Sequence, residues 1–309
     1  MQVIRDKPGR QLLESAVVTI GNFDGFHLGH QALIQRSRAL ADGRCPVAVL
    51  SFEPLPQTWF NPDTAPARLM SVRQKLEYLA NKGIDLVWLM RFNQTLAEMS
   101  AEDFLRSAVV EVLAPTVVVV GEDFRFGKGR QGDIDTLSRA GRLHGFEVST
   151  IANCEVDGLR VSSSAIRTCL AEGDLVQAER LLSRPLRMQG RVFKGRQLGR
   201  QLGYPTANLR LAAPPSPVMG VFAVRARWAG SGWRDGVANL GTRPAVGGEG
   251  FLVEVHLFDF EGDLYAQRLE IEFVKKLRDE ANFADIDDLV IQMREDEQQA
   301  RQCLTQQTK

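Results

Sequence analysis

The chain has 309 residues, more than one hydrophobic core ordinarily supports, so two domains are expected. A hydrophobic fraction of 44% with 25% charged residues excludes disorder along the whole length. A formal net charge of zero excludes a global field that would draw the chain to nucleic acid or to an anionic membrane.

The first ten residues carry charges and Pro8 but lack the apolar centre of a secretory leader, and no later apolar run reaches the length of a membrane span. The four cysteines, Cys45, Cys154, Cys169 and Cys303, are scattered without a C-x-x-C pair, which gives no support to a disulfide framework or a structural zinc site. A reducing, cytoplasmic setting is expected.

Apolar runs at 17–20, 47–52, 84–90, 116–120 and 146–151 predict strands, with helical periodicity between them. One helix starts at Ser71, with Gln74 as in a capping box, Val72, Leu76 and Leu79 at helical spacing, and Gly83 as the stop. Another starts at Ser100 and carries Asp103, Phe104, Leu105, Ala108, Val109 and Val112. The continuous apolar run 116–120 suits the inside of a parallel sheet covered on both faces. Strands alternating with helices predict a doubly wound, Rossmann-like α/β domain over residues 1–183.

Two short helices, 164–171 and 174–182, lead to Ser183-Arg184-Pro185, the expected linker. Residues 184–309 then show strand after strand, most clearly at 220–228, 236–240, 252–258 and 269–273. Leu269, Ile271 and Phe273 alternate with Glu270 and Glu272, as antiparallel strands with one buried face do. A small antiparallel β-barrel is expected. A closing helix from about Asp285, with Ile286, Leu289, Val290, Met293 and Ala300 on one face, would pack on its flank. The repeat Gly195-Arg196-Gln197-Leu198-Gly199 and Gly199-Arg200-Gln201-Leu202-Gly203 is too short for a solenoid and reads as a glycine-rich loop.

Two constellations carry chemistry. The strand at 17–20 runs into Gly21-Asn22-Phe23-Asp24-Gly25-Phe26-His27-Leu28-Gly29-His30 and then a helical stretch. A glycine-rich turn from strand to helix is where α/β sheets bind phosphates, because free N–H groups and the helix dipole favour anions. His27 and His30, three residues apart, can face one side of the first turn and donate to charge developing on a phosphate. An incidental pair of histidines, or a zinc chelate, is the alternative; no third ligand stands nearby. In the second half, Gly203-Tyr204-Pro205-Thr206-Ala207-Asn208 presents two hard oxygen donors, the Thr206 hydroxyl and the Asn208 amide, which suit Mg²⁺ and phosphate. Asn239 and the strand residue Glu254 complete the set, although a strand glutamate is by default a solvated outward residue, and His256 on the same face could be structural.

The string His27-Leu28-Gly29-His30 after Gly21-Asn22-Phe23-Asp24-Gly25 resembles the nucleotidyltransferase signature of the prokaryotic bifunctional riboflavin kinase/FAD synthetases. Phe52-Glu53-Pro54, Gly121-Glu122-Asp123-Phe124-Arg125-Phe126-Gly127 and Ser162-Ser163-Ser164-Ala165-Ile166-Arg167 follow in that family's order, and Pro205-Thr206-Ala207-Asn208 is similar to its riboflavin kinase motif. Ser164 stands where many members have threonine, and Asp123 where some have asparagine. The resemblance implies ATP and phosphate binding at Gly21, Asn22, Phe23, Asp24, Gly29, Asp123, Arg160, Ser162, Ser163, Ser164 and Arg167, with His27 and His30 as catalytic groups. For the barrel it implies binding by Gly199, Gly203, Thr206, Asn208, Asn239, Arg278 and Phe283, Mg²⁺ with ATP at Thr206 and Asn208, and Glu254 as the base. The implied substrates and products are ATP, riboflavin, FMN and FAD, with neither nucleic acid nor membrane as partner. Loss of one of the two activities, or a flavin-binding regulator without turnover, would be the rival readings; no basic stripe or extra domain supports a regulator.

Overall fold

The computed structural model describes residues 1–5, 10–195, 197–211, 216–245 and 248–306. Residues 6–9 of the N-terminal run and Arg196 of the glycine-rich repeat lie outside them. By its contacts the chain forms two compact units, residues 1–66 with 72–162, and residues 67–71 with 163–309.

The first unit is built on six parallel strands, β1 (Gln2–Ile4), β2 (Ala16–Ile20), β3 (Val47–Glu53), β4 (Leu86–Arg91), β5 (Pro115–Gly121) and β6 (Glu147–Ile151), in the order β1-β4-β3-β2-β5-β6. This bears out the doubly wound α/β expectation. β1 was not predicted, because three residues in a charged run offer no period to read. The whole of β2 is buried, as are Val118, Val119 and Val120 of β5, which is why both strands read as unbroken apolar runs.

Helices flank the sheet. α1 (Leu28–Ala41) follows β2 directly, and the helix expected from Ser71 spans Val72–Asn81. Ser100 caps its helix by accepting the amide hydrogen of Asp103 at 3.0 Å, but the helix is not uniform. After Ala101–Phe104 it widens into π-type turns over Leu105–Val110 and ends with Glu111–Leu113. The wider turns let Phe104, Leu105, Ala108, Val109, Val112 and Leu113 all reach one core. A small hairpin, β7 (Glu155–Val156) and β8 (Leu159–Arg160), turns through Asp157 and Gly158, both in the left-handed region a tight hairpin requires.

The strand order reverses between β2 and β5. Doubly wound sheets leave a crevice at such a point, beyond the carboxyl ends of the strands. The turn beginning at Gly21 leaves β2 there, and the segment beginning at Gly121 leaves β5 beside it.

In the second unit the helices Ser163–Glu172 and Leu175–Leu182 precede the barrel, the latter capped by the Asp174 carboxylate at 2.8 Å from the Gln177 amide. Six antiparallel strands close it: β9 (Arg187–Phe193), β10 (Thr206–Leu211), β11 (Gly220–Arg227), β12 (Arg234–Ala245), β13 (Gly248–Leu257) and β14 (Arg268–Arg278), in the order β10-β13-β12-β11-β14-β9. The expected barrel is borne out with two strands more than the clearest four. β10 escaped because Pro205, Thr206 and Asn208 read as a phosphate loop, yet all but the proline belong to the strand. Within the glycine-rich repeat, Leu198–Gln201 makes one helical turn.

The closing helix spans Ile286–Gln306 and packs on the barrel through Asp296, Ala300, Cys303 and Leu304, against Ala223, Phe258 and Val237. One expectation needs correction. Ile286 shares the apolar stripe but is 58% exposed, because burial on this helix begins at Asp296 and its first turn overhangs the packed region. Among the described residues no helix is long and apolar enough to cross a membrane. Leu304 is fully buried in this contact, so Leu304→Ala should cost about 2–5 kcal/mol by lost burial and a residual cavity. Chemical denaturation of the full chain, followed by circular dichroism, would measure it; an unchanged midpoint would refute the packing role.

Candidate functional site

The first candidate site is the turn between β2 and α1. Phe23 (φ 50°), Gly25 (φ 83°) and Phe26 (φ 47°) all lie in the left-handed region. For the two phenylalanines that conformation costs about 1 kcal/mol or more each, so surrounding contacts must impose it. Both rings are buried; Phe26 stacks on Tyr78 at 5.7 Å and Phe23 lies 5.0 Å from the His30 ring. Asp24 is buried in the same turn, whereas Asn22 is exposed.

His27 caps α1. Its Nδ1 accepts the amide hydrogen of His30 at 3.4 Å, which leaves Nε2 as the protonated, donating nitrogen. The two imidazoles stack with centroids 3.7 Å apart. A Cβ on Gly29 would sit 3.3 Å from the His27 ring, close enough that the ring would have to shift by a few tenths of an ångström. His30 Nδ1 is buried without a hydrogen-bond partner among the described residues. Burial first, then the electrostatic influence of His27 and of Lys75, holds His30 well below its usual 6.5, so its ring is neutral at pH 7. Imidazole N–H donors at a helix N-terminus, beside a strand-order reversal, are an arrangement that favours anions.

Asp123, just past β5, pairs with Arg160 of β8. Ser162 ends the first unit, and Ser163, Ser164 and Arg167 lie on the first helix of the second unit. Ser164 is exposed, and Arg167 Nε donates to the Ala67 carbonyl at 2.5 Å. Among the described residues no group of three or more His, Cys, Asp and Glu side chains is placed to hold a metal ion.

The second candidate site is written in strand pairing. Asn208 on β10 stands opposite Glu254 on β13, which stands opposite Asn239 on β12. The row continues to Phe193 on β9 and, through Val221, to Arg278 on β14. All six line one cavity of about 860 Å³. Thr206 and His256 form the next row on the same face. The closing helix supplies another wall with Leu289, Met293, Asp296 and Glu297. Thr206 also borders a second cavity of about 360 Å³, lined by Arg200, Phe260 and Tyr265 among others.

Glycines permit the fit. A Cβ on Gly195 would lie 2.7 Å from the Asn208 amide, and one on Gly199 would lie 2.3 Å from the Tyr204 carbonyl oxygen and 3.4 Å from the Thr206 side chain. Gly203 serves a turn (φ 85°) and lies outside the cavity lining. Arg278 is held by Asp296 through two donors, Nε at 2.9 Å and Nη2 at 2.8 Å, and its guanidinium lies 5.8 Å from the Phe283 ring centre; Phe283 is outside the lining. His256 Nδ1 lies 3.0 Å from the Pro205 carbonyl, which ties its ring to the loop. Asn239 Oδ1 is buried without a hydrogen-bond partner among the described residues, leaving an oxygen donor unused in the cavity wall.

Sequence reasoning passed over Asp296, Glu297 and the bonding of the Tyr204 hydroxyl to Arg294 and Glu297. The readable signal was Asp296, a carboxylate on the stripe of Leu289, Met293, Ala300 and Leu304. It also passed over Lys75, which sits on the stripe of Val72 and Leu79.

The depressed His30 pKa has a checkable consequence. Above pH 6.5 both folded and unfolded chains carry a neutral His30 and the stability it contributes is complete. As pH falls below 6.5 the unfolded chain takes up the proton first, so the first unit loses stability. An NMR titration should place the His30 midpoint below 6.5, and His27→Ala should raise it; a midpoint at or above 6.5 would contradict the burial argument.

Comparison with known proteins finds a family match over each half of the chain. A family model described as FAD synthetase matches residues 10–165, and one described as riboflavin kinase matches residues 182–304. A Haemophilus influenzae bifunctional riboflavin kinase/FMN adenylyltransferase is 43% identical over 303 residues, covering 97% of this chain and 98% of that one. Proteins of the same description from Escherichia coli (45% identical; 94% and 93% covered) and Pseudomonas fluorescens (47%; 88% and 88%) are similarly close. A crystal structure titled as a macrolide-efflux protein from Streptococcus pneumoniae superposes with a TM-score of 0.84 at 27% identity, covering 97% of this chain and 99% of that one. With both halves matched in order, and near-full coverage at such identity, the chain belongs to the family of bifunctional riboflavin kinase/FMN adenylyltransferases.

Proposed function

We propose that residues 184–309 phosphorylate riboflavin to FMN and residues 1–183 adenylylate FMN to FAD, each with ATP. The observation that carries the kinase half is the single row Asn208, Glu254 and Asn239 on one cavity wall, with Thr206 beside it. Phosphoryl transfer asks for little covalent help from a protein; it needs positioning, charge neutralisation and a group to take the nucleophile's proton. The larger cavity, with Phe193, Phe251, Leu252 and Met293 in its lining, suits an aromatic flavin ring. The smaller cavity meets it at Thr206 and suits the nucleotide.

Glu254 takes the proton of the flavin's terminal ribityl hydroxyl. That oxygen bonds to the γ-phosphorus, the bond to the β-phosphate oxygen breaks, and ADP leaves. The residues fit Mg²⁺, for Thr206 and Asn208 present hard oxygens on one strand face and the Asn239 oxygen is unused. Thr206 and Asn208 would hold the ion, which when bound neutralises phosphate charge. Gly195 and Gly199 let the loop backbone approach these side chains.

In the other half the phosphate of FMN attacks the α-phosphorus of ATP, and pyrophosphate leaves. No proton needs to be removed from the nucleophile, so histidines that donate rather than accept suit the step. His27 Nε2–H and the His30 ring would stabilise charge on the α-phosphate, with the amides of 21–29 cradling the nucleotide. Asp123, Arg160, Ser162, Ser163, Ser164 and Arg167 would bind further phosphate oxygens. Arg278 would border the flavin from the cavity wall, held there by Asp296 of the closing helix, with Phe283 beside its guanidinium. The four unpaired cysteines suit the cytoplasm.

The two halves are separable by experiment. Glu254→Gln should lower riboflavin phosphorylation by roughly 10²-fold or more while FAD still forms from supplied FMN. His27→Ala or His30→Ala should do the reverse, lowering FAD formation by about 10²-fold with FMN formation intact. Chromatography of riboflavin, FMN and FAD after incubation with Mg-ATP reads both. Full kinase activity in Glu254→Gln, or normal FAD formation in the histidine variants, would remove the corresponding assignment.

A further inference from the structure

Beneath the loop of the first site lies a lysine that no step above uses. Lys75 sits in the first turn of the helix Val72–Asn81 and is completely buried. A core position on an apolar stripe is filled most simply by leucine or methionine. An ammonium there is strongly disfavoured by desolvation unless it is bonded and its charge serves a purpose. Its Nζ donates to Ser51 Oγ at 3.2 Å, and Ser51 Oγ donates in turn to the carbonyl of Asn22 at 3.2 Å. Ser51 is itself fully buried on β3, and Asn22 is the second residue of the turn. The relay therefore runs from a buried cation to the backbone of the loop that presents His27 and His30.

We propose that Lys75 is a positioning residue for adenylyl transfer, holding the loop 21–30 through Ser51 and Asn22 and supplying positive potential beneath its phosphate site. The proposal rests on the assignment of His27 and His30 to that reaction. Two further features agree with it. The turn is conformationally strained at Phe23 and Phe26, so its geometry needs support from below. The Lys75 charge is also felt at His30, where it acts with burial and His27 to keep the ring neutral, Asp24 being the buried acid of the same loop. A neutral imidazole still carries one N–H that can donate to the developing charge.

Variants of the full chain test this. Lys75→Gln keeps a donor for Ser51 but removes the charge, whereas Lys75→Arg keeps the charge. FAD formation from supplied FMN and Mg-ATP would be measured with riboflavin phosphorylation in the same preparations as the internal check on the protein. In Lys75→Gln, kcat for FAD formation should fall on the order of tenfold or more, with KM for FMN little changed. The His30 titration should move upward, and Lys75→Arg should recover part of the rate. An unmoved His30 titration with full FAD formation in Lys75→Gln overturns the proposal. If Lys75→Gln fails to fold, Ser51→Ala decides, since it cuts the relay with one small change; full FAD formation there also overturns it. His30→Gln separates the two levels: normal FAD formation in that variant sinks the assignment of the histidines, while an inactive His30→Gln beside a fully active Lys75→Gln sinks only the role of Lys75.

Discussion

The pairing of β10, β13 and β12 puts Asn208, Glu254 and Asn239 in one line, and the second site depends on that register. A slip of one residue on any of the three strands would turn its polar side chain to the opposite face. What prevents the slip is the alternate set of residues. Ala238 pairs with Val255 on one side and Phe222 on the other, and all three are essentially inaccessible to solvent. Moving any of these strands by one position would exchange buried apolar side chains for polar ones inside the barrel. The barrel core thus fixes the register on which the site depends.

The first site is held by a different device. Its groups come from a turn rather than from strands, so no ladder of hydrogen bonds sets their positions. Two phenylalanines in the left-handed region do so instead, each kept there by a buried ring. The helix begins where the turn ends, and His27 serves at once as its cap and as half of the imidazole pair. Both uses meet at residue 30, three after the cap. The capping bond runs from the third residue after the cap, so the amide that His27 accepts belongs to His30 itself.

Much of this was legible in the sequence, and the reasons for the exceptions are physical. Strands buried on both faces and helices with caps announce themselves by composition, as 116–120 and Ser100 did. The loop motifs could be read because glycine, histidine and a Pro-Thr-Ala-Asn string are unusual in such order. β10 alternates polar Thr206, Asn208 and Arg210 with apolar Ala207, Leu209 and Leu211, but the glycines before it and the oxygen donors within it read as a phosphate loop. The widened turns at Leu105–Val110 were hidden because a helical and a π-type spacing share most of their apolar positions. Contacts remote in sequence gave no local signal at all. Arg278 could be singled out, but its partner Asp296 stands on another element and is tied to it only by folding.

The Arg278–Asp296 pair shows how the barrel site acquires its last wall. Asp296 is nearly inaccessible, and burying two opposite charges recovers in attraction roughly what it loses in hydration, so the pair adds little net stability. Its effect is on geometry. Two parallel donors to one carboxylate fix both the rotation of the helix and its distance from the end of β14. With that rotation set, Glu297 comes within reach of the Tyr204 hydroxyl, and Leu289 and Met293 face the cavity. Apolar packing at Ala300 and Leu304 alone would hold the helix against the barrel but would tolerate sliding, because a stripe of small and aliphatic side chains has no preferred azimuth of comparable sharpness. The charged pair lies at the boundary between the packed end of the helix and the end that lines the cavity, which is where a constraint on rotation has the greatest influence on cavity shape.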